Sequence, residues 1–346
     1  MVCVMKYTPK CAPFLPLCIN NRFYNVSEHA GLEEPESLLP SIKMYFGSFR
    51  NFCKRPTKME EWVTSCPLKN RSSDAVVTWL GHATTLIQIG EKNILTDPLF
   101  GTPSRLYRRI LPFGVDRAAL PSIDVVLISH NHRDHMDKTT IMYLYKNHNP
   151  LFLVPQGDKA WFLSRGITQV EEFTWWESYE LDGIKYTFVP AWHWSQRGLF
   201  DHNRSLWGGW VVQDSATKIY FAGDTAYNKM YFKAIGEFFG SFDIALMPIG
   251  PGAPDEWMRR SHMSAEQAGQ AFLDCNAHIF IPMHWGTFYF GHDAFLDPVT
   301  RLQGWWKIVI ADSAQYSLIV AKLADPFHLA AHKNSYSNRH DQNRHK

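Results

Sequence analysis

The feature that most narrows what this chain can become is a six-residue stretch, His130-Asn131-His132-Arg133-Asp134-His135. It stands directly after the apolar run Asp124-Val125-Val126-Leu127-Ile128-Ser129. A buried strand ending in three imidazoles and a carboxylate delivers nitrogen and oxygen donors to one point at its C-terminal edge. Side chains two apart in an extended segment face the same way, so His130 and His132 share a direction. Asp134 and His135 must then turn toward a second position. Nitrogen-rich donor sets with a carboxylate suit zinc or a similar first-row metal better than magnesium or calcium. A polar surface loop would account for the composition of this stretch but not for its spacing behind a buried strand.

Three later segments repeat the arrangement. Tyr186-Thr187-Phe188-Val189-Pro190 leads into Ala191-Trp192-His193, and Ile219-Tyr220-Phe221-Ala222 ends in Gly223-Asp224-Thr225. Ile279-Phe280-Ile281-Pro282-Met283 ends in His284-Trp285-Gly286. Each donor follows an apolar β-type run, which is where layered α/β proteins collect their site residues. One histidine after a strand is usually a satisfied structural residue; four such junctions in order are a pattern. The sequence His-x-His-x-Asp-His, followed by His, Asp and His, resembles the metallo-β-lactamase superfamily.

Composition excludes several classes. Lys and Arg total 35 against 33 for Asp and Glu, a formal net charge of +2. A dedicated nucleic-acid binder would show a strongly basic domain, so nucleic acid is not an expected partner. The six cysteines, Cys3, Cys11, Cys18, Cys53, Cys66 and Cys275, include no Cys-x-x-Cys pair. Free thiols in a reducing compartment fit that spacing better than a disulfide framework. The apolar residues around Phe14-Leu15-Pro16-Leu17 are broken by prolines and preceded by Lys10, too short to span a bilayer and poor as a signal peptide. The expectation is a cytoplasmic protein.

Three regions follow from the texture of the chain. Residues 1–70 form an irregular extension with a short helix over 38–52. Residues 71–325 form the catalytic domain, and 326–346 a polar, disordered tail. From Ala75 onward, strands split by glycine-bearing turns give way to alternating strands and helices, the helices falling at 138–147, 158–165, 230–239 and 265–275. Ser264-x-x-Gln267 is a capping box for the last. This order predicts sheets covered by helices. Periodicity leaves several layered α/β architectures open; the resemblance implies the αβ/βα sandwich, two mixed sheets with helices outside.

The same resemblance implies two Zn2+ ions, or another divalent first-row metal. His130, His132 and His193 would hold one; Asp134, His135 and His284 the other; Asp224 would bridge both. Cations about 3.5–4 Å apart lower the pKa of a shared water, so a bridging hydroxide is available near neutral pH. Asp134 would also orient that nucleophile. His82, in Gly81-His82-Ala83, is either a wall of the site or a turn histidine. His262, before the capping box, is either a general acid or anion holder beside the metals, or a helix-end residue.

Flanking residues select a branch. The third histidine sits in Pro190-Ala191-Trp192-His193-Trp194 rather than the Pro-Gly-His-Thr-like segment of the glyoxalase II type, and no large nuclease insertion is visible. The runs Thr78-Trp79-Leu80-Gly81-His82-Ala83-Thr84, Leu206-Trp207-Gly208-Gly209-Trp210, Phe221-Ala222-Gly223-Asp224-Thr225-Ala226-Tyr227 and His284-Trp285-Gly286-Thr287-Phe288 are similar to the N-acylphosphatidylethanolamine-hydrolysing phospholipases D. That likeness runs over about residues 75–300. It implies attack of the bridging hydroxide on the phosphorus of a phospholipid at a peripheral membrane surface, yielding phosphatidic acid and an N-acylethanolamine. A homodimer is compatible with it. Trp175, Trp176, Trp192, Trp194, Trp207 and Trp210 fit a lipid interface or an ordinary core. Arg105, Arg108, Arg109 and Arg117 fit anionic headgroups or a solvated face. Two other readings compete: a metal-dependent lactonase or esterase on a soluble anionic substrate, and a non-catalytic membrane-binding scaffold.

Overall fold

A computed structural model describes residues 6–7, 12–26, 59–64, 66–104 and 107–334. The helix expected over 38–52, Arg105, Cys3, Cys11, Cys53 and tail residues 335–346 lie outside the described residues.

The strands, in chain order, are β1 (Lys6–Tyr7), β2 (Leu17–Ile19), β3 (Arg22–Tyr24), β4 (Val76–Gly81), β5 (Thr84–Ile89) and β6 (Lys92–Thr96). There follow β7 (Val125–Leu127), β8 (Leu151–Pro155), β9 (Val170–Phe173), β10 (Ser178–Leu181), β11 (Ile184–Val189) and β12 (Gly209–Gln213). The last are β13 (Lys218–Phe221), β14 (Phe242–Pro248), β15 (Ala277–Met283), β16 (Ser317–Leu318) and β17 (Pro326–His328). Two mixed sheets result, in the orders β17-β4-β5-β6-β7-β8-β9 and β1-β10-β11-β12-β13-β14-β15-β16, while β2 and β3 form a separate hairpin. The αβ/βα sandwich is therefore the fold.

The alternation of side chains explains the layering. In β7, Val125 and Leu127 join the large core shared by both sheets, whereas Val126 faces Ile141 and Leu144 of helix α1 (Lys138–Asn147). In β5, Ile87 and Ile89 join the shared core and Leu86 the helix side. A sheet buried on both faces needs apolar residues at successive positions, which is why these strands read as continuous apolar runs. The remaining helices are α2 (Lys159–Leu163), α3 (Lys229–Phe239), α4 (Asp255–Met258), α5 (Ala265–Asp274) and α6 (Asp297–Val309). Asp137 caps α1 by accepting from Thr140 N, and Asn228 caps α3 by accepting from Tyr231 N. The capping box at α5 has both halves, with Ser264 and Gln267 each accepting from the other's backbone N–H.

Two ends of the chain are more ordered than the sequence implied. The polar tail expected from 326 begins inside the sandwich: Pro326–His328 pair antiparallel with β4, placing Phe327 opposite Val77. Proline without an N–H is tolerated on such an edge strand, and the polar residues beyond it hid the short pairing segment. Likewise Lys6–Tyr7, in the extension expected to be irregular, pair with Ser178 and Tyr179 of β10.

Hydrogen bonds join the two sheets behind the donor-bearing loops. Gly208 N donates to Ser129 O at 3.0 Å, and Trp210 Nε1 donates to Ile128 O at 2.8 Å. Gly223 follows β13 with φ +63°, and a Cβ there would lie 2.6 Å from Ser129 Cβ and 2.9 Å from Gly208 O. Gly223→Ala therefore meets both strain and collision. It is expected to cost about 1–3 kcal/mol and to move Asp224, which thermal denaturation together with metal content would measure.

Candidate metal centre

Every donor proposed from the sequence arrives at one edge of the sandwich. His130, His132, Asp134 and His135 follow β7, His193 follows β11, Asp224 follows β13 and His284 follows β15. His130 Nε2 lies 2.8 Å from His132 Nδ1, and His193 Nε2 lies 3.3 Å from the same atom. Around the second position, His135 Nε2 lies 3.3 Å from Asp134 Oδ2 and 3.1 Å from Asp224 Oδ2. His284 Nε2 lies 3.1 Å from Asp224 Oδ1, and Asp224 Oδ2 also stands 3.9 Å from His193 Nε2. Asp224 is thus the residue that touches both sets.

Donors on a tetrahedral zinc with bonds of about 2.0–2.1 Å stand about 3.3 Å apart, so this spacing suits side chains that share one ion of that size. His135 Nε2, His284 Nε2 and Asp224 Oδ1 are buried and make no hydrogen bond. Buried polar atoms without partners cost about 1–3 kcal/mol each, and their convergence fits divalent cations.

Of the five donor imidazoles, four are tied down on the far side, while His132 faces the others through Nδ1 and its Nε2 has no hydrogen-bond partner. His193 Nδ1 donates to Ser261 O at 2.8 Å and His284 Nδ1 to Gly250 O at 2.7 Å. His135 Nδ1 pairs with Asp97 Oδ2 at 2.7 Å, and His130 Nδ1 with Ser129 Oγ at 2.9 Å. Donation from Nδ1 leaves Nε2 as the lone-pair nitrogen facing the centre. Asp97 also accepts from Ser129 N at 2.7 Å and Ser129 Oγ at 2.5 Å. Sequence reasoning missed Asp97, although it follows the apolar strand β6 just as the other donors follow theirs.

Electrostatics agree with the donor role. Burial drives His130 well below the ordinary imidazole range, His132 down to about 4 and His193 to about 3, so these rings are neutral. Burial pushes Asp224 and Asp134 upward, but the neighbouring imidazoles, His135 foremost, outweigh it and hold both well below the usual carboxylate range. Burial opposes a charge on His135 too, yet Asp224 and Asp134 raise it well above its ordinary value. The cluster as a whole attracts positive charge.

The two residues left open by the sequence both stand at the centre. His82 Nε2 lies 3.0 Å from Asp134 Oδ2, and His82 O accepts from His284 N at 3.0 Å, so it links two donors. His262 Nδ1 stands 3.9 Å from Asp224 Oδ2 and is buried without a hydrogen-bond partner. It lies in the turn between α4 and α5 rather than at a helix start. A cavity of about 310 Å³ opens over His132, Asp134, Asp224, His262 and His284. Tyr107, Trp194, Trp257 and Phe290 supply its aromatic wall, and Arg133 and Arg260 its cations.

Most of the tryptophans do not serve that cavity. Trp175, Trp176, Trp207 and Trp210 are fully buried, each indole N–H donating to an internal oxygen, such as Trp175 to Trp207 O at 2.7 Å. They are core residues; Trp194 lines the cavity. Arg109 turns inward, donating to Leu99 O at 2.9 Å beneath the Phe288 ring, so it is not available to headgroups. Arg117 lies over the Tyr143 ring.

Residues 92–285 match the model of the β-lactamase superfamily domain. The chain belongs to the metallo-β-lactamase superfamily. Within it, the chain is similar to a Mycobacterium tuberculosis protein of uncharacterised function, 38% identical over 263 residues, which are 73% of this chain and 70% of that one. It is also similar to the N-acyl-phosphatidylethanolamine-hydrolyzing phospholipase D 1 of Caenorhabditis elegans, 35% identical over 67% of this chain and 69% of the relative. A metallo hydrolase of Ignicoccus hospitalis shares the superfamily fold, with a TM-score of 0.56 and 19% identity over 73% of this chain and 97% of that structure.

Two outcomes test the centre. Asp97→Asn is expected to weaken divalent-metal binding by about 10–100-fold, measured by competition with a chelator, because His135 loses its carboxylate anchor. Asp158, a buried carboxylate near Asn131, is pushed up to about 7 by burial, against the hydrogen bonds of Ser205 and Asn131. Unfolded, it ionises near its ordinary value of 3.8. Between those values the folded chain holds the extra proton, so this group makes stability fall as pH rises, by up to about 1.4 kcal/mol per pH unit. Asp158→Asn should flatten that part of a denaturant-melt pH series.

Proposed function

We propose that this metal-dependent hydrolase is a zinc phosphodiesterase of the phospholipase D type, acting on N-acylphosphatidylethanolamine. The observation that carries the reading is the cavity: His132 of one donor set, Asp134 and His284 of the other, and Asp224 form its floor, while aromatic side chains and two arginines form its walls. A phosphodiester with long acyl chains matches both surfaces. The likeness to the Caenorhabditis elegans phospholipase D supports the same choice.

Two zinc ions at the floor would supply a water acidic enough to ionise near neutral pH and positive charge facing the phosphate oxygens. The residues of the chain do the rest. Arg133 and Arg260 line the space where non-bridging phosphate oxygens would lie, and guanidinium forks pair with them. Asp134, held by His82 and His135, is positioned to orient the attacking water. As that oxygen bonds to phosphorus, the P–O bond to the N-acylethanolamine breaks. Burial drives His262 down to about 3, so its ring is neutral; beside Asp224, it is placed to relay the proton that the attacking water loses to the departing alkoxide. Phosphatidic acid and N-acylethanolamine are the products. Trp194 and Phe290 would exclude bulk water from the lipid side.

Peripheral membrane association belongs to the same proposal. Leu199 and Phe200 are 86% and 82% exposed at the tip of a loop whose Arg197 reaches back to Asn131 O and Met136 O. Asp201 accepts from the N–H groups of Arg197 and Gly198, which holds the tip in shape beside the cavity mouth. Among the described residues no helix is long and apolar enough to cross a membrane.

Incubating zinc-loaded protein with N-acylphosphatidylethanolamine in mixed micelles should release phosphatidic acid and N-acylethanolamine, identified by mass spectrometry. Asp224→Asn should abolish the release. No turnover by a protein carrying two zinc ions would sink the lipid reading in favour of soluble esters or lactones. Leu199→Asp with Phe200→Asp should lower partition onto phospholipid vesicles at least about tenfold, since each buried side chain of this size contributes about 1.5–3 kcal/mol.

A further inference from the structure

The first donor set is assembled across a seam. His130 and His132 follow β7 in one sheet, whereas His193 follows β11 in the other, and no ladder of strand hydrogen bonds joins those sheets. Yet the three facing nitrogens must keep separations of 2.8 and 3.3 Å. Something outside the donor sets has to hold the two arms in register.

Asp158 stands at that seam. It follows β8 and is buried at 2% exposure. Its Oδ1 accepts from Asn131 Nδ2 at 3.0 Å and from Ser205 Oγ at 2.8 Å. Asn131 is the residue between His130 and His132. Ser205 O in turn accepts from Ser195 Oγ at 2.5 Å, two residues beyond His193. One carboxylate oxygen therefore ties the His130-x-His132 arm to the His193 arm. The backbone is shaped for this closeness: a Cβ on Gly157, whose φ is +99°, would lie 2.6 Å from Arg204 O. Arg197, from the His193 arm, holds the other side of Asn131 through its carbonyl at 2.8 Å.

We propose that Asp158 is a positioning residue that sets the metal affinity of the His130, His132 and His193 triad by bridging its two arms. Loss of both hydrogen bonds lets Asn131 and Ser205 turn away, and the triad must then be reassembled by the metal at each binding event. An asparagine at 158 keeps an acceptor oxygen in place, so the arms stay joined. A hydrophobic or truncated side chain leaves two buried donors unpaired. The proposal rests on the metal-centre reading and is independent of the substrate.

The test is zinc affinity by chelator competition on the full chain, with circular dichroism confirming the fold of each variant. Asp158→Ala is expected to weaken zinc binding by about 10–100-fold, and Asp158→Asn to stay within about threefold of the original. Asn131→Ala should weaken binding similarly, and adding it to Asp158→Ala should add little, because both break the same bridge. A folded Asp158→Ala chain with unchanged affinity, or losses that multiply in the double variant, would overturn the proposal. Should Asp158→Ala fail to fold, Ser205→Ala and Asn131→Ala decide: weakened zinc binding in both supports the bridge, and unchanged binding in either removes it. If the original chain binds no zinc, the metal-centre reading itself falls, an outcome separate from unequal variants of a zinc-binding chain.

Discussion

A buried carboxylate surrounded by imidazoles is the constraint on which the rest of this structure depends. Asp224 sits at 3% exposure, in contact with His135 and His284 and within 3.9 Å of His193 and His262. A charge taken out of water is costly unless partners replace the solvent. Those partners come from loops after β7, β11 and β15 and from the turn beyond α4, so both sheets must stack in one register before the carboxylate is compensated. The glycine before it, with its positive φ, is what lets β13 approach Ser129 closely enough.

The segment from Gly250 to His262 joins two tasks that are often separate. Its backbone carbonyls at Gly250 and Ser261 fix the rings of His284 and His193. Its side chains, among them Pro251, Trp257, Met258 and Arg260, line the cavity. A change in the shape of the cavity is therefore felt by the donors. Asp293 strengthens the link, accepting from Gly252 N at 2.7 Å and Ala253 N at 3.1 Å.

The donor set was legible because it obeys a rule visible in one dimension: a polar ligand type directly after an apolar strand. The same holds for the capping box at Ser264 and for helix α1, whose bounds follow from its periodicity. Asp97 obeys that rule as well but stands alone in its segment, with no motif to single it out. Asp158 also stands just beyond an apolar strand, β8, but in no ligand motif. Its role arises from contacts with Asn131 and Ser205, on opposite arms of a fold that only the tertiary structure brings together. The tryptophans stayed open for a physical reason: a large amphipathic ring suits a membrane interface and a core equally, and only the internal acceptors for their N–H groups decide. The strand at Pro326–His328 was hidden because three residues carry no period.

That short strand has a consequence for the order of events on the ribosome. β17 covers the edge of β4, the strand that leads into His82, and the two are separated by nearly the whole domain in sequence. Until Pro326–His328 emerge, β4 has an open edge lined by Val76, Val77 and Trp79, apolar residues that invite pairing with another chain. Such long-range closure is slow compared with local helix formation. A nascent chain of this design therefore keeps that edge of the first sheet open for most of its synthesis, and β17, the last strand to emerge, is what closes it.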